Sequence, residues 1–384
     1  MLLGFKTELK LNNKQKTQLL QHCGVSRHAW NWGLELCLNI LEHNSNNPED
    51  KLKFPSAIDL HKLLVSMVKS ENPWYYEVSK SAPQESLRNL KTAWDRCFKK
   101  VSKRPKFKKK GKNDSFTLEG SITVKSSRKI RVPKIGVLRT YENLPQVKPK
   151  SVSISRKADK WFISFRFDSE PKPSETLGSP VGVDLGLLSF ATLSNRRKID
   201  APKPLKANLK RLAKLQRKSK KKEKFSNNWK KDQVKVAKLH AKIANIRKDF
   251  IHKLTTNLAK NHSIIVIEDL NVSGMMANRK LSRAISDVGF YEFRRQLDYK
   301  TRLYGSEVFL SDRWFPSSKM CFNCGEKKVD LSLKDRTFSC SCGFSEDRDL
   351  NAAFNLVRLV QPEFKPIDRE VPSPLDEIGN DHQR

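Results

Sequence analysis

Four consecutive β-branched residues, Ile264-Ile265-Val266-Ile267, end on the carboxylate of Glu268. A run that is apolar at every position has no wet face. It predicts a central strand buried on both sides, the arrangement of a sheet covered by helices. Val181-Gly182-Val183 is a second, shorter run of this kind and delivers Asp184; Gly182 and Gly186 on either side let backbone or ligand approach closely. A third acidic segment, Asp347-Arg348-Asp349-Leu350-Asn351-Ala352-Ala353, leads into a short helix expected over Leu350 to Leu359, where the helix dipole favours an anion at Asp349. Taken singly, each acid has an ordinary explanation: a strand-terminal Asp is often a turn or cap residue, and Asp347 reads as a helix N-cap. Asp269, one residue beyond Glu268, faces the opposite way or enters a loop and is left out. The set of Asp184, Glu268 and Asp349 carries the argument. Three carboxylates brought together repel one another unless cations are present, and two Mg²⁺ ions about 3.5–4 Å apart satisfy them and activate water for attack on phosphate.

These acids stand out because the chain is so basic. Its 384 residues include 76 Lys and Arg against 41 Asp and Glu, a net charge of +35, with a pI near 10.0. The length suggests two or three domains. Such a charge repels itself unless a partner neutralises it, and nucleic acid is the commonest such partner. The alternative is a solvated basic surface of the ribosomal-protein kind. An anionic membrane is disfavoured, because the basic runs lack an aromatic-rich amphipathic face. No apolar run reaches the roughly 18 residues of a membrane span and no signal-peptide pattern opens the chain, so a cytoplasmic protein is expected.

The pattern along the chain changes character several times. Leu2 to Thr7 reads as a strand. A helical block follows, in which Trp30, Leu34, Cys37, Leu38 and Leu41 recur at helical spacing, and a second stripe runs through Leu87, Leu90, Trp94, Cys97 and Phe98. The polar stretch Asn44 to Asp50 reads as a loop, and Lys103 to Lys112 as a basic linker without an apolar face. From about 115 to 170 the period becomes two: Val152 and Ile154 alternate with serines, and Trp161, Ile163, Phe165 and Phe167 alternate with their neighbours. Pro171, Pro173 and Pro180 mark a linker to the domain that opens with Asp184. Between Lys203 and Lys235 fourteen Lys or Arg face only Glu223 and Asp232, in a helical pattern broken at Ser226-Asn227-Asn228. This is either a solvated charged face or a nucleic-acid contact, and the scarcity of acidic i,i+4 partners favours contact.

Seven cysteines divide into two kinds. Cys23, Cys37 and Cys97 are scattered along apolar helical faces. Cys321-x-x-Cys324 and Cys340-x-Cys342 are paired, each pair followed by a glycine, Gly325 or Gly343, that permits a tight turn. Four thiolates so spaced suit one structural zinc ion with no open position. The second pair is one residue shorter than the usual C-x-x-C, which makes Cys340 the least certain of the four ligands.

The chain resembles the TnpB family, the OrfB-type proteins of bacterial and archaeal insertion sequences, related to the type V CRISPR effectors. The resemblance spans nearly the whole sequence. It rests on Arg27-His28-Ala29-Trp30-Asn31-Trp32-Gly33-Leu34, Lys148-Pro149-Lys150-Ser151-Val152, Asn227-Asn228-Trp229-Lys230-Lys231 and Ala244-Asn245-Ile246-Arg247-Lys248-Asp249-Phe250. Ile267-Glu268-Asp269-Leu270, Phe315-Pro316-Ser317-Ser318-Lys319, the cysteine pairs and the Asp347–Ala353 segment complete it. The resemblance implies a multi-domain α/β protein. Residues 1–10 and 115–175 would form a wedge, an oligonucleotide-binding-like β-barrel, with residues 11–114 inserted as a helical recognition lobe. Residues 178–312 and 344–360 would form a ribonuclease H-like (RuvC-like) nuclease domain carrying a zinc ribbon at 313–343, with a disordered tail at 361–384. It further implies Asp184, Glu268 and Asp349 as catalytic acids with two Mg²⁺, a structural Zn²⁺, a transposon-encoded guide RNA and a double-stranded DNA target flanked by a short motif.

Specificity delegated to base pairing calls for a basic channel that reads backbone. Candidates to line it are Lys106 and Lys108 of the linker, and Lys210, Arg211, Arg217, Lys218, Lys220, Lys221, Lys222, Trp229, Lys230 and Lys231 of the basic helices. Trp30 and Trp32 lie on a helical stripe and read as core, whereas Trp229 is open between core packing and base stacking. Two other functions remain to be weighed: a guide-dependent repressor without cleavage, which the presence of all three acids argues against, and a DNA-strand transposase. No coiled-coil seam suggests a dimer, so a monomer is expected.

Overall fold

Alternating apolar and polar residues build the first of two units, Met1–Ser169, in the computed structural model, which describes residues 1–332 and 335–366. Its elements are β1 (Leu2–Lys10), α1 (Asn13–Asn46), α2 (Ala57–Leu63), α3 (Ser81–Phe98), β2 (Ser115–Glu119), β3 (Thr123–Ser126), β4 (Lys129–Val132), β5 (Gly136–Thr140), β6 (Ser151–Lys157) and β7 (Lys160–Asp168). The strands form one antiparallel sheet in the order β2-β6-β7-β1-β5-β4-β3. β1 joins its two halves, pairing with β7 from Leu2 to Glu8 and with β5 at Leu9 and Lys10. Val152, Ile154, Trp161, Ile163 and Phe165 turn to the same core as Leu118 and Leu138, as the period-two pattern requires.

The helices of this unit have a second core of Ala29, Leu34, Cys37, Leu60, Leu87, Leu90 and Trp94, with Trp30 and Trp32 packed at its margin. A capping box between Asn12 and Gln15 starts α1, which runs on to Asn46 and so absorbs the first residues expected in a loop. The basic stretch 103–112 is strapped along α1. Trp30 Nε1 donates to the Lys106 carbonyl at 3.0 Å, Asn31 exchanges two hydrogen bonds with the Lys108 backbone, and the Lys108 ammonium sits 3.8 Å over the Trp30 ring.

The second unit, Glu170–Arg384, contains β8 (Val181–Leu185), β9 (Ala191–Leu193), β10 (Lys198–Ile199), α4 (Pro204–Lys220), α5 (Asn227–Asn261), β11 (Ile264–Glu268) and α6 (Val272–Ala277). These lead to α7 (Ser282–Val288), α8 (Phe290–Tyr304), β12 (Glu307–Ser311), β13 (Thr337–Ser339), β14 (Ser345–Asp347) and α9 (Arg348–Arg358). A mixed five-stranded sheet has the order β10-β9-β8-β11-β12, with β8, β11 and β12 parallel. Val181, Val183, Ile265, Val266 and Ile267 are buried, the condition that their unbroken apolarity foretold. Phe190, Ile251, Leu254, Phe293 and Leu297 complete this core.

α4 and α5 form a hairpin around Leu212, Leu239 and Ile243. Asp287, at the end of α7, accepts the Leu205 and Lys206 N–H groups at 3.0 Å each, and so caps α4 from a distant segment. After α9, Phe364 packs against Phe322 and Phe354, so contact with the body extends past the expected tail boundary at Gln361; residues 367–384 of that tail lie outside the described residues. Among the described residues no helix is long and apolar enough to cross a membrane.

Candidate functional site

β8 and β11 run parallel, with Val181 beside Ile265, Gly182 beside Val266 and Val183 beside Ile267. The next residues on the two strands are Asp184 and Glu268, so two carboxylates stand side by side at the carboxyl end of the sheet. α9 lies directly across β8. A Cβ built on Gly182 would stand 2.0 Å from the Ala353 carbonyl oxygen and 2.8 Å from the Val357 nitrogen. That backbone-to-backbone approach brings the first turn of α9, with Asp349, to the two strand acids.

The electrostatics of Asp184 register the convergence. Removal from water, and then the charges of Glu268 and Asp349, push its carboxyl well above the ordinary carboxylate range, with the Arg348 guanidinium opposing. Glu268 accepts a short hydrogen bond from the hydroxyl of the buried Ser317. Asp349 lies 3.4 Å from Arg348 Nη2. The neighbouring acids are otherwise engaged. Asp347 caps α9, accepting from the Asp349 and Leu350 N–H groups at 3.1 and 3.2 Å, and pairs with Lys198 at 2.7 Å. Asp269 points away to Arg294 and Arg313, each at 2.5 Å, and these hydrogen bonds hold its carboxyl below the usual value.

The four paired cysteines come together, Cys340 included. Cys321 and Cys342 are 3.7 Å apart at Sγ, and Cys324 and Cys340 are 3.5 Å apart. A zinc ion about 2.3 Å from four tetrahedral thiolates sets them about 3.8 Å from one another, so the donor set fits that ion. Gly325 and Gly343 adopt φ of +77° and +86°, which only glycine takes without strain, and turn the chain back at each pair. The Phe344 N–H and the Asn323 amide pull the Cys342 thiol down to about 6, whereas burial pushes Cys321 up to about 12. The donor atoms of this cysteine set all lie within 4.8 Å of one another.

The two centres are mechanically connected. Asn351 and Asn355, buried on one face of α9, donate to the Met320 carbonyl at 2.8 and 2.7 Å, and Asn351 accepts the Phe322 N–H at 3.1 Å. Asn355 also donates to the Ser317 carbonyl at 2.8 Å. The helix that carries Asp349 therefore grips the residues on both sides of Cys321, and the loop whose serine holds Glu268.

The basic candidates are distributed unevenly. Lys210, Arg211, Arg217, Lys218, Lys220, Lys221, Lys222, Lys230 and Lys231 are all exposed on the α4–α5 hairpin and its turn. Trp229 is half-buried at that turn, 5.4 Å from Phe225, beside a cavity of about 530 Å³ that Arg217, Lys220 and Gln233 also line. Lys106 and Lys108 belong to the strap on α1, held there through their backbones; the Lys108 ammonium lies over the Trp30 ring, and Lys106 is exposed. Sequence reasoning missed Ser317 and the arginine pair on Asp269. Ser317 lay within a motif already singled out, but nothing in its spacing points to Glu268.

Three family models match: "Probable transposase" of the OrfB_IS605 family over residues 163–279, "Cas12f1-like, TNB domain" over 290–356, and "Helix-turn-helix domain" over 1–45. In the last region the structure has one strand and the unbroken helix α1. A Streptomyces pristinaespiralis protein named "Putative RNA-guided DNA endonuclease" is 40% identical over 293 residues, 73% of this chain and 71% of its own length. Escherichia coli K12 "Putative RNA-guided DNA endonuclease InsQ" is 34% identical over 376 residues, covering 93% and 92% of the two chains. Among solved structures, a Cas12f1–sgRNA–target DNA complex aligns with TM-score 0.56 at 15% identity, covering 89% of this chain and 82% of that one, a likeness of fold. With relatives this similar over most of their length, the chain belongs to the TnpB family, the OrfB-type proteins of insertion sequences.

Proposed function

We propose that this protein is an RNA-guided DNA endonuclease that cuts at a RuvC-like site formed by Asp184, Glu268 and Asp349. The convergence of these acids, two from adjacent parallel strands and one from the helix laid across Gly182, carries the reading. Three carboxylates offer hard oxygen donors and an excess of negative charge, the chemistry that selects magnesium. When bound, such ions stabilise the attacking and leaving oxygens of an in-line phosphodiester displacement.

The chain's own residues do the positioning. Ser317 fixes one oxygen of Glu268, Asp347 fixes the start of α9 and with it Asp349, and Gly182 sets the depth at which that helix lies. Specificity comes from a guide RNA paired to the target, with a short flanking motif read by the protein. The relatives' names support this, and the exposed lysines and arginines of the α4–α5 hairpin supply backbone contacts. Residues 1–10 and 115–175 serve as the wedge, 11–114 as the recognition lobe, and the four cysteines hold a structural zinc.

The test is a cleavage assay with guide RNA, target DNA and magnesium. Asp184→Ala is expected to lose cutting by at least about 10³-fold while guide and target binding stay within twofold, since the lost group acts on transition-state charge. Retained cutting by that variant would sink the assignment.

A further inference from the structure

Six of the seven tryptophans rest at least partly against the body of their unit, whereas Trp314 is 84% exposed, the most exposed large apolar side chain among the described residues. Keeping a bare indole in water is unfavourable, and a mobile loop would tuck it away. The loop that carries it is not free to do so. At one end Ser311, the last residue of β12, pairs in register with Glu268. At the other end the Ser317 hydroxyl bonds the Glu268 carboxylate. Five residues, Asp312 to Pro316, are therefore pinned at both ends to one acid of the candidate site.

Their interior is fixed as well. The Asp312 carboxylate accepts the Trp314 N–H at 2.7 Å, the Asp312 carbonyl accepts the Phe315 N–H at 3.1 Å, and Arg313 reaches the Asp269 carboxylate at 2.5 Å. The backbone that presents the ring is thus held at the carboxyl edge of the sheet, tied to Glu268 at both ends of the loop, and the ring itself stands in solvent. Exposed Asp312 and Arg313 precede it in the loop, and half-buried Phe315 and Pro316 follow. An exposed aromatic face on a fixed backbone is what a stacked base requires, and stacking tolerates any sequence, as a guide-programmed enzyme demands.

We propose that Trp314 is a stacking platform for a nucleobase of the DNA strand entering the carboxylate site. The platform holds the unpaired strand against drift while its phosphate lies among the acids. This rests on the reading of that site as a nuclease centre.

The experiment uses the full chain with its guide RNA and target DNA carrying 2-aminopurine at successive positions around the cut. Fluorescence is read without magnesium, so that stacking is measured apart from cutting. At one position the wild type is expected to quench the probe at least twofold more than Trp314→Ala, with Trp314→Phe close to wild type. With magnesium, Trp314→Ala is expected to cut subsaturating target about tenfold more slowly, with unchanged Tm and with rescue by Phe. Equal cutting by Trp314→Ala, equal impairment of Ala and Phe, or quenching that ignores residue 314 at every position overturns the proposal. A wild type that quenches through Trp314 but never cuts refutes the nuclease reading and leaves the platform standing.

Discussion

At position 182 there is no room for a methyl group: its nearest neighbour would be the Ala353 carbonyl oxygen at 2.0 Å, backbone that cannot swing aside. Gly182→Ala must lift α9 from β8, and overpacking of this kind costs about 3 kcal/mol or more. The expected outcome is a lower denaturation midpoint together with lost cutting in whatever fraction remains folded, because Asp349 moves with the helix. Urea titration beside a cleavage assay checks both. The sequence made Gly182 legible as a site of close approach, without showing that α9 would be the visitor. Asp269 was legible too: period two places it opposite Glu268, and it turns to Arg294 and Arg313. Ser317 was not, because its bond to Glu268 depends on the path of a loop between residues 49 apart in sequence. A local pattern holds no record of such a path.

Among elements, the unbroken apolar runs identified β8 and β11, and the helical stripes identified α1 and α3, since burial on one or both faces writes itself into spacing. The strap at 103–112 was hidden for the opposite reason. Trp30 and Asn31 hold it through backbone carbonyls and amides, which every sequence possesses. The cysteine cluster was readable in all four of its members, yet its link to α9 through Asn351 and Asn355 was not, because buried asparagines at i,i+4 resemble surface polarity in sequence. That link yields a prediction. Cys340→Ser, or chelation of the wild type, is expected to weaken zinc binding by more than about tenfold and to lower cutting in parallel. Metal analysis and cleavage rates measured on the same samples test the linkage; full activity in zinc-free protein would show that the two centres are independent.

For the whole molecule the surplus of positive charge is the dominant quantity, +35 in a chain of 384 residues. If the α4–α5 hairpin and its turn contact phosphates, target affinity of the guide complex should fall about 10³-fold between 50 and 200 mM salt. A flat profile would assign that charge to solvation alone, and filter binding across a salt series distinguishes the two. Charge was wholly legible in composition, whereas the fastening of one basic stretch to α1 through its backbone was not. The same scale gives meaning to the order in which the site is assembled. Its acids lie at 184, 268 and 349, and α9 must settle across Gly182 before the third joins the first two. Ribosomes deliver the N-terminal parts first. The nascent chain therefore presents its basic hairpin long before α9; if that hairpin holds nucleic acid and Asp349 is one of the cutting acids, a product truncated ahead of α9 is expected to grip nucleic acid without being able to sever it.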